Sequence, residues 1–170
     1  MGRKKGVIRE SYIEFPSSAI PYSRKLAIDI PVSLFCDRTL SIFEVLIEFL
    51  KDTQNLSYHE IAVLTNRNDR TIWTIYNRVS KKRKGYSKPD LIFSEVTVPL
   101  SIFLDRKVAV LEAVVLYLKE RGGYSFKQIG DLLRRSDRTI WTVYSRAKRK
   151  TEGLRAEAKA SREKLNNDKN

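Results

Sequence analysis

"DRTIWTIYNR" at residues 69–78 and "DRTIWTVYSR" at residues 137–146 are one phrase written twice. The six-residue word they share, DRTIWT, contains Trp and does not recur by chance in a chain of 170 residues. Sliding the chain over itself by 68 positions extends the match without a gap over residues 30–82. About 20 of those 53 positions are identical, and most other core positions exchange one apolar residue for another. "IPVSLFCDR" (30–38) falls on "VPLSIFLDR" (98–106), and "LSYHEIAVL" (56–64) on "YSFKQIGDL" (124–132). The chain is an internal duplication, and each copy is expected to be one structural unit. Two copies are too few for a solenoid, so each unit must bury most of its own core or dock on the other.

Each unit reads as an extended lead-in followed by three helices. In "IDIPVSLF" and "VTVPLSIF" apolar residues alternate with other types, which suggests a short strand or an extended arm. Pro31 and Pro99 cannot donate to a ladder, so they belong at an edge or a strand end. Asp37 and Asp105 then suit the N-cap of a first helix running through "TLSIFEVLIEFLKD" and "KVAVLEAVVLYLKE". That helix is apolar on most faces and should lie at the centre of its unit. It stops at Gln54-Asn55 in one copy and at Gly122-Gly123 in the other. The second helix opens with a capping box in both copies, Ser57 with Glu60 and Ser125 with Gln128. Leu56 with Ile61, and Tyr124 with Ile129, suit hydrophobic staples. The helix is short and closes near Thr65 and Leu133. The third helix follows Asn68 or Ser136 as N-cap. Its inward stripe is Ile72, Ile75, Tyr76 and Val79, and in the second copy Ile140, Val143, Tyr144 and Ala147.

A short capped helix, a turn of about three residues and an amphipathic third helix make a helix-turn-helix. "SYHEIAVLTNRNDRTIWTIYNR" resembles that family's segment, above all the fourth region of bacterial sigma factors and the effector domains of response regulators. Tandem units of this kind also resemble an uncharacterised archaeal family of DNA-binding type. The carrying positions are Ile61 and Ile129, the small residues Ala62 and Gly130, and Ile72, Ile75, Ile140 and Val143 on the third helix. The family often has Gly in the turn, where this chain has Asn66 and Arg134, and Arg suits a left-handed conformation less well than Asn. The fold class expected is therefore mainly α: two duplicated three-helix helix-turn-helix units, each preceded by a short arm or strand, with a helical C-terminal extension.

With the stripe inward, a wheel of 100° per residue turns Arg70, Trp73, Thr74 and Asn77 outward, and Arg138, Trp141, Thr142 and Ser145 in the second copy. With Thr71 and Thr139 these are the candidate base-facing residues of a major-groove reader. Two readings of the Trp pair stay open. Either the indoles touch a thymine methyl or a sugar, or they pack under the arm or against the other copy. For Arg70 and Arg138 the alternative is an ion pair with an acid of the first helix. Basic clusters at the end of each third helix are candidate phosphate contacts: Arg78, Lys81, Lys82, Arg83 and Lys84, then Arg146, Lys148, Arg149 and Lys150. Their alternative is a merely solvated face. Glu44, Glu48, Asp52 and Glu112 sit on the first helices, and this segregation of sign favours function.

The formal net charge of +13 points to a polyanionic partner. One Cys and one His exclude a disulfide framework and a one-chain zinc site. Cys36 reads as a small core residue and His59 as an exposed helix residue. No cofactor, metal or catalytic constellation is expected. The basic start is followed by no apolar run, and no segment approaches the roughly 18 apolar residues of a membrane span, so a cytoplasmic or nucleoid protein is expected. The chain divides into a basic arm (1–26), a first unit (27–83), a linker (84–94), a second unit (95–150) and a charged helical tail (151–170). The tail should be helical to about Leu165, with Leu154 and Ala158 continuing the stripe and a loosening at Gly153. The partner expected is double-stranded DNA, bound by one chain as a pseudo-dimer in transcription regulation or chromosome packaging. If a two-fold axis relates the units, the recognition helices would lie about 34 Å apart. The lead-in arms can pair with each other and fix that geometry. The rivals are RNA or ribosome binding and docking on RNA polymerase. The oligomeric state stays open.

Overall fold

The computed structural model describes residues 28–85 and 95–167. The expected arm over residues 1–26 and most of the linker lie outside the described residues. The fold is mainly helical, with one two-stranded sheet among the described residues. One order of elements occurs twice. The first copy holds β1 (Asp29–Pro31), a 3₁₀ turn (Val32–Cys36), α1 (Ile42–Glu48, prolonged by a π-helical turn at Phe49–Thr53), α2 (Tyr58–Leu64) and α3 (Asp69–Arg83). The second holds β2 (Thr97–Pro99), a 3₁₀ turn (Leu100–Phe103), α4 (Val110–Glu120), α5 (Phe126–Leu133) and α6 (Asp137–Asn167).

The lead-in arms do pair. β1 and β2 run antiparallel in the register Asp29↔Pro99, Ile30↔Val98, Pro31↔Thr97. Ile30 therefore faces its own counterpart, 68 positions on, and a pseudo-two-fold axis passes through that pair. The flanking bonds obey the same symmetry. Val32 N–H donates to Val96 C=O (3.0 Å), and Leu100 N–H to Ile28 C=O (2.9 Å). Pro31 and Pro99 close their strands, where a missing donor breaks no ladder. Phe35 and Phe103, also counterparts, meet edge to face with centroids 6.2 Å apart. The polypeptide then crosses over. The first 3₁₀ turn packs on α5, and the second on α2. Cys36 Sγ–H donates to the Leu132 carbonyl (3.0 Å), Arg38 to that of Arg134 (3.3 Å), and Asn66 Nδ2 to that of Leu104 (3.3 Å). Buried residues of both copies form one continuous core. Each copy packs its own helices on one another, and the two copies also dock.

The second and third helices start where expected. Ser57 Oγ accepts from Glu60 N–H (3.2 Å), and Glu60 accepts from Ser57 N–H (2.8 Å). Ser125 and Gln128 repeat both bonds at 3.2 and 2.8 Å. Asn68 Oδ1 caps α3 through Arg70 N–H (2.8 Å), and Ser136 Oγ accepts from Thr139 N–H (3.3 Å). Each second helix ends in a Schellman turn. Arg67 N–H reaches Ala62 C=O (2.8 Å) and Arg135 N–H reaches Gly130 C=O (2.8 Å), with Asn66 and Arg134 both left-handed at φ 52° and 49°. A Cβ on Gly130 would stand 2.7 Å from the Arg135 carbonyl oxygen, so the second copy's turn approaches more closely than a side chain at 130 would allow.

The first helix departs from expectation. It starts at Ile42 and Val110, and neither Asp37 nor Asp105 is its cap. Ser41 caps α1 in a further capping box with Glu44. Ala109 precedes α4 with no hydroxyl to offer, and there only Glu112 acts, accepting from Ala109 N–H (2.9 Å). The aspartates instead close the turn before the cap: Asp37 accepts from Thr39 N–H and Asp105 from Lys107 N–H, both at 2.8 Å. The tail also differs. α6 continues unbroken through Gly153 to Asn167. A helical glycine costs about 1 kcal/mol, which the Ala, Glu, Lys and Arg around it outweigh. Leu154 and Ala158 as a continued stripe fall outside the described side chains. No described helix is long and apolar enough to cross a membrane.

A shared core should unfold once. Chemical denaturation followed by far-UV circular dichroism and by the emission of Trp73 and Trp141 is expected to give coincident single transitions. Phe35→Ala should lower stability by about 3–5 kcal/mol while keeping the transition single. Separate transitions for the two copies would contradict a common core.

Candidate nucleic-acid interface

The azimuth of α3 and α6 decides which residues face out, and a repeated set of contacts sets it. Ile72 and Val79 are buried from α3, and Ile140 and Ala147 from α6. Tyr76 O–H donates to Asp52 (2.7 Å), and Tyr144 O–H donates to Glu120. The hydrogen bond to Asp52, helped by burial, pushes the Tyr76 phenol up to about 12. Tyr76 also packs on Tyr58 and Tyr144 on Phe126, with centroids 5.8 and 5.4 Å apart. Lys51 lies over the Tyr58 ring and donates to Leu56 C=O (3.1 Å). Lys119 lies over the Phe126 ring and donates to Tyr124 C=O (3.2 Å).

With the helices so held, Trp73 is 54% exposed and Trp141 57%. More than half of each indole is thus left uncovered. Arg70, Thr71, Arg138 and Thr139 are exposed beside them, and Asn77 and Ser145 are half-buried on the same face. Neither Arg70 nor Arg138 is held by an acid of the first helix among the described residues. Thr74 and Thr142 hydroxyls donate back to Arg70 C=O (2.7 Å) and Arg138 C=O (2.9 Å). Their hydroxyl protons are thereby engaged within the helix. Thr139 Oγ1 lies 2.8 Å from Ser136 Oγ at the helix start. His59 is exposed, with Nδ1 2.9 Å from Asp69 Oδ2.

The basic clusters divide. Arg78, Lys81, Lys84, Arg146, Lys148 and Arg149 are exposed. Three others turn back onto the first helices. Lys82 Nζ meets Glu44 (2.8 Å) and Lys150 Nζ meets its counterpart Glu112 (2.7 Å). Arg83 is gripped by Asp37 (2.6 Å) and Glu48 (2.7 Å), with 13% of its side chain exposed. The Glu48 hydrogen bond holds the Arg83 guanidinium above its ordinary value. Burial disfavours ionised Asp37 and Glu44, but hydrogen bonds from Thr39 and Arg83, and from Lys82 and Ser41, leave both carboxyls below their ordinary range. The expected segregation of sign is thus partly undone, because the acids of the first helices neutralise one flank of each third helix. Sequence reading placed Lys82, Arg83 and Lys150 among the phosphate contacts and missed these pairs. The pairing of Glu44 with Glu112 and Lys82 with Lys150 across the copies was the available signal.

Compared with protein-family models, with curated proteins and with solved structures, the chain matches none.

Asp37 and Glu44 have lowered values in the folded state, so their stabilisation is present above their unfolded values and is lost as pH falls through the folded ones. Thermal stability is expected to drop below about pH 4. At pH 7, Arg83→Met should cost about 3 kcal/mol by taking the guanidinium away from two buried carboxylates. That gap should narrow in acid as the carboxylates protonate. A gap that stays constant with pH would mean that packing of the arginine stem carries the effect.

Proposed function

We propose that the protein binds double-stranded DNA through α3 and α6, acting as recognition helices of two helix-turn-helix units in one chain, in transcription regulation or nucleoid organisation. The observation that carries this reading is the pair of exposed Trp side chains at symmetry-equivalent positions, each beside an exposed arginine. Exposed helix positions are those where packing demands least, yet Arg70, Thr71, Trp73 and Thr74 recur unchanged as Arg138, Thr139, Trp141 and Thr142. A function of that face accounts for the identity.

Arg70 and Arg138, in the first turn of each helix, are suited to guanine edges, and the indoles to thymine methyls or sugars. Asn77 and Ser145 differ between copies and suit a site whose half-sites differ. Arg78, Lys81, Lys84, Arg146, Lys148 and Arg149 are the phosphate contacts of this reading. Lys82, Arg83 and Lys150 are left out because their charges are engaged internally. The pseudo-two-fold axis at Ile30 and Val98 supports a pseudo-dimer addressing an imperfect palindrome.

Titrating the chain with duplex DNA, single-stranded DNA and structured RNA while recording Trp emission tests this. Duplex is expected to quench a red-shifted emission, with a log–log salt slope of about −5 for some six phosphate contacts. Arg138→Ala should weaken a selected duplex by about 1–3 kcal/mol and relax its sequence preference. Quenching by RNA or single strands in preference to duplex would replace this reading with a stacking one, in which the indoles carry bases.

A further inference from the structure

Where the first copy holds Arg83, the second has a cavity. Under the 68-residue shift Arg83 becomes Thr151, Glu48 becomes Leu116 and Val45 becomes Ala113. Three large or charged side chains are thus replaced by smaller or neutral ones around one place in the fold. The result is a cavity of about 620 Å³ lined by α4, α6 and the residues around the second 3₁₀ turn. Ile102, Val108, Ala113 and Leu116 give it an apolar wall, and Asp105 shares its polar side with Glu120, Glu152, Arg121 and Lys148.

One element of the Arg83 site survives. Asp37 Oδ1 accepts from Thr39 N–H, and Asp105 Oδ1 accepts from Lys107 N–H at the same 2.8 Å. The backbone bond is kept in both copies, while Asp105 is exposed where Asp37 is buried. In the first copy the other oxygen, Oδ2, takes the Arg83 guanidinium at 2.6 Å. In the second copy position 151 is Thr, whose hydroxyl donates back to Lys148 C=O (2.9 Å), and no guanidinium is supplied from that position. Arg67 senses the Asp105 charge without coming within ion-pair distance. Lys148, which also lines the cavity, lies 3.9 Å from Glu152.

We propose that this cavity binds a small organic cation, a guanidinium group on a short aliphatic body. The guanidinium occupies Asp105 Oδ2 as Arg83 occupies Asp37 Oδ2, and the aliphatic body lies on Leu116, Ala113 and Val108. The first copy thus displays the internal version of the contact that the second makes with a ligand. Leu116 in place of Glu48 gives the aliphatic body an apolar surface; of the other carboxylates lining the cavity, Glu120 accepts from Tyr144 O–H and Glu152 lies by Lys148, which leaves Asp105 for the cationic group. α6, which carries Trp141, forms one wall, so the ligand touches the helix of the candidate interface.

The test is isothermal titration of the full chain with butylguanidinium and with its neutral near-isostere butylurea. Butylguanidinium is expected to bind with one-to-one saturation, and butylurea about tenfold or more weakly. Asp105→Asn keeps the acceptor for Lys107 N–H and removes the charge. It should weaken butylguanidinium about tenfold or more and bring it level with butylurea. Thr151→Arg combined with Leu116→Glu rebuilds the first copy's ion pair inside the cavity and should abolish binding, with folding checked by circular dichroism. Absence of saturable binding to the wild-type chain overturns the proposal. So does binding indifferent to Asp105→Asn, or binding that persists in the folded double variant. No nucleic acid enters the titration, so its outcome is independent of the DNA reading.

Discussion

The antiparallel contact of Ile30 with Val98 is the centre of a ladder only three residues long on each strand. Such a ladder is marginal by itself. It persists because the segments leaving it bury Val32, Leu34 and Phe35 on one side and Leu100 and Phe103 on the other, against helices of the opposite copy. Once the strands pair about their own counterparts, the symmetry of everything else follows. The 3₁₀ turns cross over, Phe35 meets Phe103, and α1 and α4 are brought together. A symmetric homodimer makes such an isologous interface between two chains. Here both halves lie on one chain, so their association needs no second molecule and the halves are free to diverge.

That freedom has been used unevenly. The two copies agree residue for residue over DRTIWT, most of which is exposed, and differ in charge and size around Arg83. Glu48, buried in the first copy, faces Arg83; its counterpart Leu116 is half-buried beside a cavity. Arg83 lies at the last position of α3, whereas α6 runs on past Thr151 to Asn167. Satisfying two buried carboxylates with one guanidinium fixes the end of α3 against α1. Removing the guanidinium and one of the two carboxylates opens the second copy, and the carboxylate that remains, Asp105, is exposed rather than buried.

The acids of the first helices serve a structural end that charge counting hides. Glu44 and Glu112 each satisfy a backbone N–H ahead of their helix and an ammonium from the third helix. One carboxylate thereby joins a helix start to the flank of its neighbour. A chain with formal net charge +13 thus spends part of its excess of cations internally, and the exposed set that remains is narrower than the runs of Lys and Arg suggest.

What the sequence by itself determined is local. The duplication, the boxes at Ser57 and Ser125, the stop before Asn55 and Gly123, and the inward stripes through Ile72 and Ile140 all involve residues within one helical turn or one period. Those interactions hold wherever the segment lies. The first-helix start shows the limit even there: an Asp stood at a plausible cap, but Ser41 four residues on had a glutamate at the right spacing and took the role. Tertiary structure alone decided the rest. Arg83 meets Asp37 across 46 residues, Cys36 meets Leu132 across 96, and Trp73 is exposed because Tyr76 is anchored to Asp52 across 24. Each depends on how helices are placed in space, and no periodicity encodes that placement, because it arises from burying both copies in one core.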